Sequence, residues 1–202
     1  MRRVRQWGCR KAACCGRASV RSMTSVDQHR AAVEGRPPGY ALVTVSDSRT
    51  AADDVTGRRM RELVEAVGSP VVEQTIVRDD VAAIRSAVGA LLATDGVDVV
   101  VVAGGTGVAP RDVTVEALEP LFDRGLPGFG ELFRLLSHRR IGAAAMLSRA
   151  TAGVASGRAL FAVPGSPQAA ELAFAELILP EAAHLLAQAR RDDAPPGGGS
   201  GR

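Results

Sequence analysis

Val97-Asp98-Val99-Val100-Val101-Val102-Ala103 runs directly into Gly104-Gly105-Thr106-Gly107, and Arg111-Asp112-Val113-Thr114 follows. The β-branched apolar run reads as a strand buried on both faces, as strands of a parallel sheet are. Three glycines in four positions let the backbone turn sharply and approach a ligand. The chain then enters a helix near Thr114, whose leading N–H groups attract anions. An acid beside such a hole, here Asp112, suits a metal ion held against a phosphate.

Two familiar phosphate loops do not fit. A Walker A loop needs Lys-Ser/Thr after its last glycine, and Gly107 is followed by Val108-Ala109-Pro110. In the dinucleotide G-x-G-x-x-G pattern, Pro110 would occupy the third glycine. Taken alone, the four turn residues are also compatible with a βα turn that needs glycine for geometry only.

Working outward, Tyr40 to Val45 reads as a first strand. Asp53 or Asp54 starts a helix with Met60, Leu63, Val64 and Val67 on one face, stopped by Gly68. Val71 to Val77 reads as a second strand. Asp79 or Asp80 caps a helix striped by Val81, Ile84, Val88 and Leu91. Strand–helix–strand–helix–strand order argues for a parallel sheet with right-handed crossovers. Beyond the glycine loop, helical stretches are expected at 115–122 and 130–137. The stretch 141–154 is not assigned a definite structure; a small-residue helix over 141–155 would suit close helix packing, either in the core or at an interface. A fourth strand spans 160–163, a helix follows from Gln168 to Leu179, and Pro180 opens a last helix to Arg190.

Composition supports this. An apolar fraction of 46% over 202 residues is enough for a real core. No apolar run approaches the about 18 residues that a membrane span needs. Charge is uneven: residues 1–37 carry nine Lys/Arg against Asp27 and Glu34, and the remainder carries 16 basic and 20 acidic residues. The basic balance therefore belongs to the tail, which weakens a nucleic-acid reading drawn from overall charge. A nucleic-acid binder acting through that tail is a conceivable alternative. Cys9, Cys14 and Cys15 all lie in it, without zinc-site spacing, so the domain has no thiolate site or disulfide. We divide the chain into a basic, disordered extension (1–37), one domain (38–191) and a disordered Pro/Gly-rich tail (192–202). The extension is Arg-rich like a transit peptide but lacks the apolar core of a secretory signal. Met23 is an alternative start. A cytoplasmic location is expected.

The longer string Gly-Gly-Thr-Gly-x-x-x-Arg-Asp-Val-Thr-x-Glu-Ala, Gly104 to Ala117, resembles the signature of the molybdopterin adenylyltransferase family, the MogA/MoaB type. Val43-Thr44-Val45-Ser46-Asp47-Ser48-Arg49-Thr50 and Val163-Pro164-Gly165-Ser166-Pro167 resemble the same family in the right order. So do Phe122-Asp123-Arg124 and Pro127-Gly128-Phe129-Gly130-Glu131 between them. The pattern is most similar to the MoaB branch. The resemblance implies a three-layer α/β/α sandwich with a mostly parallel sheet. It also implies Mg²⁺-dependent transfer of AMP from ATP to the terminal phosphate of molybdopterin, with release of pyrophosphate. Homotrimers or dimers of trimers, and hand-over to a molybdenum insertase, belong to the same implication; a nucleic-acid or membrane partner does not.

Roles follow residue by residue. Gly104, Gly105, Thr106 and Gly107 would cradle a phosphate. Asp112 would be a Mg²⁺ ligand or orient it, with a helix cap near Thr114 as its ordinary alternative. Asp79 resembles the family's second acid; Arg78 stands where proline is usual, and Asp80 is adjacent, so an N-cap is its competing use. Ser46, Asp47 and Ser48 would face nucleotide or pterin, or make an ordinary polar turn. Gly165 and Ser166 would contact the pterin or its phosphate. Arg111 would meet phosphate or solvent, Thr114 would cap, and Glu116 suits a helix's first turn. The histidines suggest no chemistry.

Two alternatives remain. One is a non-catalytic molybdopterin-binding or assembly protein of the same fold, against which the intact Arg111-Asp112-Val113-Thr114 block counts. The other is a pyrophosphatase-type relative acting on nicotinamide nucleotide or ADP-ribose, whose glycine motif differs.

Overall fold

The computed structural model describes residues 36–190. The two terminal segments, including the expected disorder of the tails, the transit-peptide likeness, the cysteines and His29, lie outside the described residues. Six strands form one sheet in the order β2-β1-β3-β6-β5-β4. They are β1 (Tyr40–Val45), β2 (Val71–Val77), β3 (Val99–Ala103), β4 (Arg124–Gly125), β5 (Thr151–Ala155) and β6 (Arg158–Val163). β2, β1, β3 and β6 run parallel, while β5 and β4 are added by antiparallel pairing.

Alternation along the strands builds two cores. Tyr40, Leu42, Val99 and Val101 face one side, against α1 (Val55–Ala66), α4 (Pro127–Ile141), α5 (Pro167–Ala173) and α6 (Leu179–Ala189). Ala41, Val43, Val100 and Val102 face the other, against α2 (Val81–Ala93) and α3 (Thr114–Leu118). This is the expected three-layer α/β/α sandwich. All five residues of β3 are completely buried. Burying a valine side chain is worth about 1.5–3 kcal/mol as an upper estimate, so the central strand anchors both layers.

Several sequence expectations are corrected. α1 buries Met60 and Val64, but Val67 lies at its end, 55% exposed. The helix expected at 115–122 stops at Leu118 and tightens into a 3₁₀ turn, Glu119–Leu121, around Pro120. α4 is longer than expected, beginning with Pro127 in its first turn. The stretch 141–155 is no packed helix: a 3₁₀ segment, Gly142–Leu147, leads into β5. β5 joins β6 through Ser156-Gly157, both with positive φ (51° and 69°), as a two-residue hairpin turn requires. The last two helices form one continuous rod with a π-helical turn, Phe174–Ile178, between them. Pro180 cannot donate to the carbonyl four residues back, and the wider turn just before it absorbs the misfit. Among the described residues no helix is long and apolar enough to cross a membrane.

Candidate functional site

The chain visits β1, steps outward to β2, then returns to the other side of β1 for β3. Ligands in open parallel sheets bind at the carboxyl ends of strands where the order reverses in this way. The loops after β1, β3 and β6 meet there, nearly backbone to backbone. Gly104 has φ +115°, and a Cβ on it would strike the Val45 carbonyl oxygen. A Cβ on Gly165 would lie 3.1 Å from Gly104 Cα. The first approach excludes a side chain at Gly104, and the second leaves Gly165 little room for one.

Together these loops line one cleft of about 690 Å³. Ser46, Ser48, Gly104, Gly105, Thr106, Gly107, Asp112, Gly165 and Ser166 all border it, so three separated motifs converge as expected. The opposite wall is apolar and includes Phe133, Ile141, Ala144, Ala145 and Leu147. A larger hollow of about 850 Å³ lies across the Ser46–Arg49 turn and contains Asp47, Arg49, Arg58, Arg61 and Arg78. It holds none of the glycine loop and not Asp112, so the smaller cleft is the better candidate site; Asp79 lines neither of the two.

The acids separate by use. Asp80, not Asp79, caps α2, accepting from the Ala83 N–H at 2.8 Å. Asp79 is thereby released. Its Oδ1 is sealed from solvent and has no hydrogen-bond partner. A Cβ on Gly105 (φ +61°) would lie 2.9 Å from that oxygen, so the acid backs directly onto the glycine loop. Burial raises the Asp79 carboxyl above its ordinary range, and the neighbouring Asp112 and Asp47 carboxylates add to this. The Val113 N–H and Arg111 pull the other way. Asp47 Oδ1 accepts from the Asp79 N–H at 3.2 Å, tying the first loop to the second acid.

Asp112 does not cap α3. Its Oδ2 accepts from the Ala109 N–H at 2.8 Å, closing the turn that carries it. A Cβ on Gly107 would be 2.6 Å from this Oδ2, so the acid too stands against the glycine loop. Thr114 is not a cap either. Val113 holds the cap position without a side-chain hydrogen bond, and Thr114 opens the helix. The Thr114 Oγ1 donates to the Gly104 carbonyl at 2.8 Å, and its N–H donates to the Gly105 carbonyl at 3.0 Å. Thr114 therefore braces the loop from beneath instead of offering its N–H to a ligand.

Other candidates take structural duties. Ser46 Oγ accepts from the Ser48 and Arg49 N–H groups, and Ser166 caps α5 by accepting from Ala169 N–H. Arg111 is exposed. Glu116 points out of the cleft to an ion pair with Arg149, which lowers its carboxyl pKa.

Two arginines had no assigned role. Arg49 Nη1 donates to Thr56 Oγ1 at 3.2 Å and to the Gly165 carbonyl at 3.3 Å, and lies 3.8 Å from the buried Asp54. It joins the first and third loops. Arg149 reaches the glycine loop from the far side. The only sequence signal for Arg49 was its place in the first motif; Arg149 had none.

The switch-point cleft, its glycine loop, the two acids set against that loop and the apolar wall make this α/β fold a candidate binder of phosphate-bearing ligands. Residues 41–184 match the family described as "Probable molybdopterin binding domain". Molybdenum cofactor biosynthesis protein B of Bacillus subtilis (strain 168) is 46% identical over 152 residues, covering 75% of this chain and 89% of that protein. The protein of the same name from Escherichia coli (strain K12) is 44% identical over 145 residues, covering 72% and 85%. A crystal structure of a molybdenum cofactor biosynthesis protein B superposes with a TM-score of 0.76 at 42% identity, covering 78% and 98%. The tungsten cofactor synthesizing protein MoaB of Pyrococcus furiosus gives a TM-score of 0.67 at 35% identity, covering 78% and 99%. The chain belongs to this molybdopterin-binding family, on the MoaB side.

Proposed function

We propose that the protein acts in molybdenum cofactor biosynthesis by transferring AMP from ATP to the terminal phosphate of molybdopterin. The observation that carries this reading is the sealed, unpartnered Oδ1 of Asp79 beside Gly105, with Asp112 against Gly107 of the same loop. A buried carboxylate oxygen without a donor is costly, and a ligand-borne cation relieves it. No group of three or more His, Cys, Asp or Glu side chains that could hold a metal occurs among the described residues. Mg²⁺ takes one or two carboxylates and completes its shell with water and substrate phosphates. Asp79 and Asp112 would hold it, and it would neutralise phosphate charge during transfer.

In this reading a phosphate oxygen of molybdopterin bonds to the α-phosphorus of ATP, and the α–β bridging P–O bond breaks. The electron pair leaves with pyrophosphate. The chain's own contribution is positioning and field, with no covalent nucleophile. Backbone N–H groups of Gly105 to Gly107 face the phosphates, and the Phe133–Leu147 wall takes the flat pterin. Assembly as a homotrimer or dimer of trimers, a cytoplasmic setting and hand-over to a molybdenum insertase complete the proposal.

The test mixes purified protein with molybdopterin, Mg²⁺ and α-labelled ATP. Expected are adenylylated molybdopterin and pyrophosphate in equal amounts, dependent on Mg²⁺. Tight molybdopterin binding without product would select a non-catalytic binder.

A further inference from the structure

Arg149 sits between the 3₁₀ segment Gly142–Leu147, which supplies the cleft's apolar wall, and β5. Its N–H donates to the Thr106 carbonyl at 2.9 Å. Its guanidinium then makes a fork: Nε donates to the Gly107 carbonyl and Nη2 to the Asp112 carbonyl, each at 2.6 Å. Nη1 pairs with Glu116, and Nη2 also reaches Glu116 Oε2 at 3.3 Å. One half-buried residue thus fastens the glycine loop, the acid and the first turn of α3 to the opposite wall.

We infer that Arg149 is a positioning residue acting through Asp112, spanning the Gly107 and Asp112 carbonyls so that the acid keeps its station against the glycine loop. The inference rests on the transfer reading above. Residues 108–111 between the two carbonyls are all exposed. Within that stretch Asp112 is held by its own turn alone, through the Ala109 N–H and carbonyl. Fixing both ends of such a loop requires two donors in one rigid plane, which a guanidinium supplies and an ammonium does not. A residue needed only for charge would have been satisfied by Glu116. The two carbonyl contacts mark a geometric task. Ala144, Ala145, Leu147 and Ser148 line the cleft immediately before Arg149, so the clamp continues directly from the cleft wall.

The experiment compares Arg149→Met, Arg149→Lys, Asp112→Asn and the Arg149→Met/Asp112→Asn double variant. Readouts are kcat, molybdopterin affinity and hydrogen exchange of the Gly105–Val108 amides. In Arg149→Met we expect kcat to fall by about 10²-fold, as misplacement by roughly 1 Å does. Molybdopterin affinity should change far less, and the loop amides should exchange faster. Arg149→Lys should recover little. The double variant should be no slower than Asp112→Asn alone, because both changes act on one group. Full recovery by lysine would overturn the inference in favour of simple charge, and multiplied losses in the double variant would overturn it in favour of an independent role. Should the wild type form no product, the transfer reading fails, while loop exchange in Arg149→Met still decides the clamp: faster supports it, unchanged overturns it. If Arg149→Met does not fold, Arg149→Lys carries the test, because it keeps the charge and loses the fork: an unchanged kcat and loop exchange there would overturn the inference.

Discussion

Asp79 and Asp112 both stand against one glycine loop, at Gly105 and Gly107, yet they are held in different ways. Asp112 spends Oδ2 on its own turn, whereas Asp79 has an oxygen that nothing in the protein satisfies. Replacing Asp112 with Asn should retain molybdopterin binding and lower turnover by about 10²-fold or more, as loss of a major electrostatic contributor does. Turnover near normal in the labelled-ATP assay would remove Asp112 from the chemistry. For Asp79 the expectation joins stability to function. Its folded pKa is raised, chiefly by burial and then by the Asp112 and Asp47 charges. The folded protein therefore holds this proton more tightly than the unfolded chain does, and stability falls as pH rises from the unfolded value through the raised one. Asp79→Asn should abolish transfer but melt at a higher temperature than wild type near pH 7.5. That advantage should shrink as pH falls through the raised value, where the wild-type carboxyl takes up its proton. A melting temperature at pH 7.5 equal to or below wild type would contradict the strain assigned to Asp79.

At the scale of elements, α1 shows how a cap becomes part of the site's frame. Asp54 caps α1 by accepting from the Gly57 N–H at 2.9 Å, and its other oxygen accepts from Thr44 Oγ1 at 2.7 Å on β1. Arg49 approaches the same carboxylate and holds the third loop through Gly165. Asp54→Ala removes a cap and strands a buried hydroxyl, so it should cost about 2–3 kcal/mol in urea unfolding with an unchanged slope. A cost under about 0.5 kcal/mol, typical of surface substitutions, would mean that the network is not cohesive. The first five elements were legible because their signals are local: short strands rich in β-branched residues and an aspartate ahead of each helix. β5 was not, because Thr151-Ala152-Gly153-Val154-Ala155 has little strand character of its own. Its small residues answer a distant demand, since a Cβ on Gly153 would collide with the Phe122 ring. The site divides likewise. The glycine loop and Asp112 belong to one contiguous pattern, while Arg149 meets Gly107 across 42 residues and only the fold reveals it.

Across the whole molecule, chemistry and fastening occupy opposite ends of the sheet. The site crowns the carboxyl ends of β1, β3 and β6, while Asp98 lies just ahead of β3 at the other edge. Asp98 Oδ2 accepts from the Gly39 N–H at 2.8 Å and pairs with Arg36 at 3.2 Å; Oδ1 accepts from Arg190 at 2.7 Å. One buried carboxylate thereby ties the entry to β1, the start of β3 and the end of α6. Burial alone would raise its pKa, but the Gly39 N–H and the two arginines outweigh burial and leave it lowered. The sign is opposite to that of Asp79: Asp98 contributes stability above its unfolded pKa, and this is lost as pH falls through the depressed folded value. Asp98→Asn should cost about 1.5–3 kcal/mol near neutral pH, toward the lower figure because both arginines are half in water. The deficit against wild type should close in strong acid. Since no part of the cleft touches Asp98, the variant's turnover at a temperature well below its melting point should match wild type. A clear loss of turnover in the fully folded variant would show that the two ends of the sheet are mechanically coupled. Equal turnover beside a lowered melting temperature would instead mean that this fold keeps its stability and its strained acids in separable places.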